Sequence, residues 1–336
     1  MKREHVTLKD IAKKLNIAVS TVSRALSDLP TIKDETKKMV MLAAKEMDYH
    51  PNLFAKSLKT KSSNTIGVVV PDLELHFFSS CISGMQKTCL ENGYNLIICQ
   101  SNESLEQEKF NIKTLQDSRV GGILISLSRE TNSFEHLNQL KEHQIPFVYF
   151  DRVDENGSNS KVVINDEESS FEATQYLIRK GYKNIAFLCG PKILSICKNR
   201  LIGYQNALRS HQMNFESDWI LESDLSRQTT SACIDFYLGL KNQPDAILAI
   251  NDTVAIDCIR HLKKNNIEIP RQIAVMGFSN SPAAEIIEPN LTTVEQPSFD
   301  MGQTAAKRLL EEIRHPDALP SKVFTLNTKI IERDST

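Results

Sequence analysis

The sequence predicts an α/β protein in two parts, a short helix-turn-helix module followed by two doubly wound parallel-sheet subdomains. Three observations carry this. Residues 6–26, VTLKDIAKKLNIAVSTVSRAL, place apolar residues at helical spacing in two short segments around a tight turn. From Thr65 onward, short continuous apolar runs alternate with amphipathic segments, the pattern of strand–helix units whose parallel strands are covered on both faces. The charge is also divided. Residues 1–62 hold 13 Lys+Arg against 7 Asp+Glu, and the remainder holds 27 against 35. A basic amino end on an acidic body fits local contact with phosphates and repulsion elsewhere.

In the first module, Thr7 is placed to cap a helix, with Asp10 in the capping-box position. Leu8, Ile11, Ala12 and Leu15 form its apolar face, and Asn16-Ile17-Ala18 makes the turn. In the second helix, Val19–Leu26, the residues Val22, Ala25 and Leu26 pack on the first, while Val19, Ser20, Ser23 and Arg24 point outward. An exposed helix of small residues with one Arg fits a DNA major groove and still hydrogen-bonds base edges. Residues 34–49 read as a third amphipathic helix through Val40, Ala43, Ala44 and Met47. Residues 50–64, HPNLFAKSLKTKSSN, are basic and polar with a break at Pro51. They read as a linker, or as a helix that needs a partner to fold.

The first strand–helix series runs as strand 65–71, helix near 79–92, strand 95–100, helix near 104–117, strand 121–126, helix near 132–143 and strand 146–151. The second starts at strand 162–166 and continues with a helix near 167–180, strand 185–190, a helix near 199–211 and strand 218–222. A helix near 227–241, strand 246–251, a helix near 253–265 and strand 273–278 close it. A last helix, 298–314, and a strand, 323–330, are expected to return the chain across both halves as a hinge. The predicted domains are therefore 1–49, a hinge segment 50–64, and 65–336. Within the last, one subdomain takes about 65–164 and 297–324, the other about 165–296 and 325–336.

Residues 1–20 are polar, with no apolar core of signal-peptide length, and no apolar run approaches the ~20 residues that span a bilayer. Cys81, Cys89, Cys99, Cys189, Cys197, Cys233 and Cys258 form an odd set without a C-x-x-C pair, which points to reduced, buried thiols and a cytoplasmic protein. No nucleotide-binding glycine loop, zinc-protease motif or nucleophile elbow is present, so neither cofactor nor metal is expected. Strand-end carboxylates such as Asp151, Asp166 and Asp252 are read as binding hydroxyls or capping helices rather than as catalytic groups. A transport-type sugar receptor would share the body but lack the basic reading module.

Along essentially its whole length the chain resembles the lactose-repressor (LacI/GalR) family of transcription regulators. The resemblance rests on TLKDIAKKLNIAVSTVSRALSD, YHPNLFAKSL, NTIGVVVPD, RLIGYQNAL, AILAINDTVAI, IAVMGFSNSP and LTTVEQP, in that order. It implies a non-enzymatic, effector-controlled repressor that binds a near-palindromic operator as a dimer. Val19 and Ser20 then take the variable base-reading positions, and Arg24 is the third base contact. Thr21, Ser23, Thr36 and Asn52 contact phosphates. Leu58 corresponds to a hinge leucine that wedges into the minor groove. Two small hydroxyl residues usual before the second and third helices are replaced by Ala18 and Lys33.

The resemblance further implies a periplasmic-binding-protein-like body holding a sugar-like effector between its subdomains. Phe77, Phe78, Arg200, Asn251, Asp252, Ser279 and Gln296 are expected to line that site. Ser279 stands where many relatives carry an acidic residue, and Glu222–Leu225 lacks the usual aromatic platform. With Arg200 retained and the carboxylate lost, the pocket is expected to favour an anionic ligand such as a uronate or sugar phosphate. Leu58→Ser is expected to weaken operator binding strongly while effector affinity stays nearly unchanged. Equal loss of both, measured by DNA-binding and ligand titrations, would refute this division of labour.

Overall fold

A computed structural model describes residues 6–49, 63–213, 216–316 and 319–336. The chain divides into two units, Met1–Ser63 and Asn64–Thr336. In the first, α1 (Leu8–Leu15), α2 (Val19–Leu26) and α3 (Asp34–Glu46) are each too short to persist alone in water. They are held by a shared core of Ile11, Ala12, Val22, Ala25, Val40, Ala43 and Ala44. The Asp10 carboxylate accepts hydrogen bonds from the Thr7 amide and hydroxyl, at 2.8 and 2.7 Å. These bonds hold its pKa below the ordinary value. Asn16, in the left-handed region at φ 51°, turns the chain out of α1. Neither Ala18 nor Lys33 supplies a side-chain cap, so α2 and α3 start on backbone geometry and packing alone.

The second unit contains two six-stranded sheets. In order along the chain its elements are β1 (Thr65–Val70), α4 (His76–Glu91), β2 (Asn95–Gln100), α5 (Leu105–Asp117), β3 (Gly122–Ile125), α6 (Glu135–Glu142), β4 (Phe147–Phe150) and β5 (Lys161–Ile164). Next come α7 (Asp166–Arg179), β6 (Ile185–Cys189), α8 (Ser195–Ser210), β7 (Ile220–Glu222), α9 (Arg227–Gly239), β8 (Ala246–Ala249), α10 (Asp252–Lys264) and β9 (Ala274–Ser279). The chain ends with β10 (Thr292–Glu295), α11 (Ser298–Arg314), β11 (Val323–Leu326) and β12 (Lys329–Ile331). The first sheet has the order β11-β5-β4-β3-β1-β2, all parallel. The second has the order β12-β10-β9-β8-β6-β7, parallel except for β12 on β10.

Three sequence expectations change here. The segment expected to open the second strand–helix series, which the predicted bounds nevertheless kept within 65–164, is β5, and it pairs with β4 and β11 in the first sheet. The single strand expected over 323–330 is two strands, one in each sheet, because the chain crosses between subdomains at 327–328. β10 was not expected as a strand; TTVE carries one large apolar residue and takes its place by pairing with β9. The other crossings fall at Asn165 and at Gln296-Pro297, so three chain segments join the subdomains at one edge.

Each subdomain contains a helix pair pressed together at a glycine. A Cβ added at Gly302 of α11 would lie 1.9 Å from the Cys81 carbonyl oxygen of α4. One at Gly203 of α8 would lie 2.0 Å from the Glu167 carbonyl oxygen of α7. Both obstacles are backbone, so the helices must separate to admit a methyl group. Gly302→Ala is therefore expected to destabilise by about 1–3 kcal/mol or more, whereas Gly239→Ala, with nothing within 4 Å, should be neutral or stabilising. Equal melting temperatures for the two variants would refute the close-packing account.

Candidate functional site

Two surfaces gather the residues singled out from sequence. On the first unit, Val22 and Ala25 of α2 are buried, and Val19 (41 % exposed), Ser20 and Arg24 face solvent. Thr21, Ser23 and Thr36 are half-buried along the same module. Three outward side chains of different chemistry on a helix anchored from behind form a surface able to reach base edges, with flanking hydroxyls for phosphates. Asn52 and Leu58 lie outside the described residues.

The second surface is the cleft between the two sheets, at the carboxyl ends of their strands, where open parallel sheets place ligands. Phe77, Phe78, Arg200, Asn251, Ser279 and Gln296 all line it. Asp252 does not. Its carboxylate is turned into the framework, accepting from the Ser281 amide at 2.6 Å and the Thr293 hydroxyl at 2.5 Å, and burial raises its pKa against those bonds. Asn251 is partly committed as well, capping α10 through the Val254 amide at 2.9 Å. Phe78 is both lining and core, edge-on to Phe77 and Phe150.

Arg200 is engaged by the protein itself. Its Nε donates to Asp166 at 2.7 Å, its Nη1 donates to the Ile250 carbonyl at 2.7 Å, and its guanidinium lies 3.6 Å from the Phe278 ring centroid. It is 3 % exposed. Asp166 stays above the ordinary carboxylate range because it is buried, with Arg200 opposing.

The sequence reading missed Arg152, which follows β4 and lines the same cleft. Its Nη1 donates to both carboxylate oxygens of Glu103, at 2.9 and 2.7 Å, and its guanidinium lies 5.7 Å from the Phe78 ring. Its Nε, although buried, makes no hydrogen bond among the described residues and lies 3.9 Å from an Asp151 carboxylate oxygen, while Nε2 of Gln296, whose Oε1 accepts from Ser279, is also without a hydrogen bond. The signal available was position: Asp151-Arg152 stands at the carboxyl end of a buried strand. The cleft therefore keeps two unused donors, and a matching ligand presents acceptors. Asp151, Leu225 and Ser279 hold positive φ values of 59°, 69° and 132° at this site, local strain of the kind that gathers around ligand clamps.

The cavity measures about 60 Å³, room for a few waters and well below the ~300 Å³ of a small-ligand pocket. A ring-sized ligand enters only if the subdomains part. Across the mouth, Arg129 Nη1 donates to the Asp224 carbonyl at 2.9 Å and Asn199 donates to Glu155 at 3.2 Å. Among the described residues, no helix is long and apolar enough to cross a membrane.

Known proteins match both parts of the chain. Residues 7–52 match the family "Bacterial regulatory proteins, lacI family", and residues 63–329 match "Periplasmic binding proteins and sugar binding domain of LacI family". The transcriptional repressor PurR of Vibrio cholerae serotype O1 (strain M66-2) is 32 % identical over 330 residues, covering 98 % of this chain and 97 % of that protein. The transcriptional regulator RegA of Clostridium saccharobutylicum is 31 % identical over 332 residues, covering 98 % and 99 %. Among solved structures, the lac repressor dimer bound to operator and the anti-inducer ONPF superposes with a TM-score of 0.87 at 23 % identity, over 99 % of each chain. An Enterococcus faecium LacI-family regulator with bound ribose superposes with a TM-score of 0.72 at 27 % identity, over 81 % of this chain and 98 % of that one.

Asp151 makes the cleft sensitive to pH. Burial raises its carboxyl from 3.8 to about 6, with Arg152 opposing and Asp166 adding to the rise. A carboxyl harder to ionise folded than unfolded contributes stability that is present below its ordinary value and lost as pH rises through its folded value. The shift corresponds to about 3 kcal/mol. Relative to the parent, Asp151→Asn is expected to gain melting temperature as pH rises from about 4 to about 6.5. A difference that is flat over that range would show that Asp151 is not buried as a carboxyl.

Proposed function

The chain belongs to the LacI family of bacterial regulatory proteins, and from that membership we propose that it is a transcriptional repressor whose hold on an operator is set by a sugar-like effector in the cleft. The observation that carries the DNA-reading part is the solvent-facing set Val19, Ser20 and Arg24 on a helix whose opposite side is core. Arg24 is suited to the O6/N7 edge of a guanine and Val19 to a thymine methyl, while Thr21, Ser23 and Thr36 set register on phosphates. One such module reads only a few base pairs. A dimer that places two of them about 34–36 Å apart on one face of the duplex supplies the rest.

Support for a second copy comes from β2. It is the edge strand of the first sheet, yet Ile97 and Ile98 are 40 % and 43 % exposed, with Leu90 and Phe110 also open. An apolar edge strand is a pairing surface unless something covers it.

Regulation follows from the cleft. The effector binds one arrangement of the two subdomains better than the other and shifts their equilibrium by that difference in affinity. The three crossing segments at Asn165, Gln296-Pro297 and 327–328 are where the rotation is absorbed. Aromatic faces at Phe77 and Phe78, with the free donors of Arg152 and Gln296, suit a polyol.

Selection from a random duplex library with the purified protein is expected to return a near-palindromic site. Arg24→Ala should then weaken binding to it by about 1–3 kcal/mol and relax one base position in each half-site. A uniform loss across all sequences would make Arg24 a phosphate contact instead.

A further inference from the structure

We propose that Cys189 and Cys197 are a redox-active thiol pair in the wall of the cleft, oxidised to a disulfide by a peroxide that enters it. Cys189 ends β6 and Cys197 lies in the first turn of α8, so the sulfurs meet where the chain turns from strand to helix. The Cys189 Sγ lies 3.7 Å from the Cys197 carbonyl oxygen and within hydrogen-bonding reach of the Cys197 thiol. Next to Cys189 stands Gly190, where a Cβ would lie only 2.8 Å from the Cys197 Sγ. The missing side chain leaves that sulfur its place against the strand end.

The two thiols differ in access. Cys197 lines the cleft cavity and Cys189 sits behind it, both 1 % exposed or less. That cavity of about 60 Å³ has room for a few waters, and so for hydrogen peroxide. The thiols differ also in acidity. Cys197 is held below its ordinary value first by the hydrogen bond from Cys189 and then, against burial, by the Arg200 and Arg152 charges. The same bond, with burial, holds the Cys189 thiol above its own. Burial raises the other five thiols, Cys81, Cys89, Cys99, Cys233 and Cys258. The thiolate is the form that reacts, and a second thiol beside it turns its oxidation into a disulfide.

In the first step the Cys197 thiolate attacks one oxygen of hydrogen peroxide. An S–O bond forms, the O–O bond breaks, and the departing hydroxide takes up a proton to leave as water. The Cys189 sulfur then attacks the sulfenic sulfur. The S–S bond forms, the S–O bond breaks, and the hydroxide leaves with the Cys189 proton as a second water. Together the sulfurs lose two electrons, which the peroxide gains. A disulfide holds its sulfurs at about 2.05 Å, far closer than a hydrogen-bonded contact, so the first turn of α8 must shift toward β6. Leu194, Ile196 and Cys197 move with it, and all three line the cleft. The consequence for operator binding rests on the repressor reading; the thiol chemistry does not.

Trypsin separates the pair, because Lys192 lies between the two cysteines and Lys183 and Lys198 flank them. The reduced full-length protein is treated with hydrogen peroxide, unfolded, alkylated at its remaining thiols, digested and read by mass spectrometry. A cross-link between 184–192 and 193–198 is expected, with two of the seven thiols lost and both recovered on reduction with dithiothreitol. Cys189→Ser should stop the reaction at a sulfenic acid on Cys197, which a dimedone probe labels. Cross-links scattered among the other cysteines, or no loss of thiol from this pair, would overturn the proposal. That outcome is read on the parent protein and does not depend on a variant folding. Operator affinity is expected to differ by about fivefold or more between the oxidised and reduced forms. Equal affinity would remove the regulatory consequence. If neither form binds operator while the cross-link forms, the repressor reading falls and the thiol pair stands.

Discussion

The cleft depends on one buried ion pair. Asp166 is the first residue delivered to the second subdomain by the chain crossing at Asn165, and Arg200 of α8 reaches it while also holding the Ile250 carbonyl beyond β8. These contacts tie a crossing segment, a helix and a strand end to one guanidinium. Removing one partner of such a pair leaves an uncompensated buried charge and typically costs about 3–5 kcal/mol. Arg200 therefore organises the ligand site rather than waiting for a ligand. Stacked on Phe278, it forms a fixed wall from which the other lining groups are placed.

Opposite that wall the site is less settled. Asp151 and Arg152 follow β4 at the end of the first sheet, where a buried carboxyl, a guanidinium with a spare donor and a backbone in the left-handed region are brought together. Gln296, at the crossing between β10 and α11, adds a second spare donor through Nε2 while its Oε1 accepts from Ser279 at the end of β9. Local strain and unmade hydrogen bonds both make an arrangement in which acceptors fill those positions lower in free energy than one in which they do not. That difference is what an effector can use to shift a conformational equilibrium.

The two subdomains solve the same packing problem in the same way. Each presents parallel strands that must be covered on both faces, and each presses one helix pair to backbone contact at a glycine, Gly302 in one and Gly203 in the other. Stiff halves joined by three short crossings confine motion to the joints. The carboxyl ends of both sheets then face one another across the cleft, so a small rotation there changes the ligand cavity without repacking either core.

Much of this was legible in the sequence because it is local. The helix-turn-helix follows from apolar spacing over 6–26, and the outward set Val19, Ser20 and Arg24 from the same periodicity. Runs such as TIGVVVP and AILAIN announce buried strands before any partner is known. Six of the seven cleft residues that the family resemblance implied line the cavity. What tertiary structure decided is long-range. β5 belongs to the first sheet, β10 exists because β9 offers it an edge, and 323–331 divides between two sheets; each depends on pairing across large sequence distances. The same holds for Asp252, drawn inward by Ser281 and Thr293, and for Arg152, whose Nη1 is taken by Glu103 while Nε makes no hydrogen bond. Periodicity determines which face of an element is apolar. Which polar atom is left without a partner is set only when the remaining partners have been assigned in space.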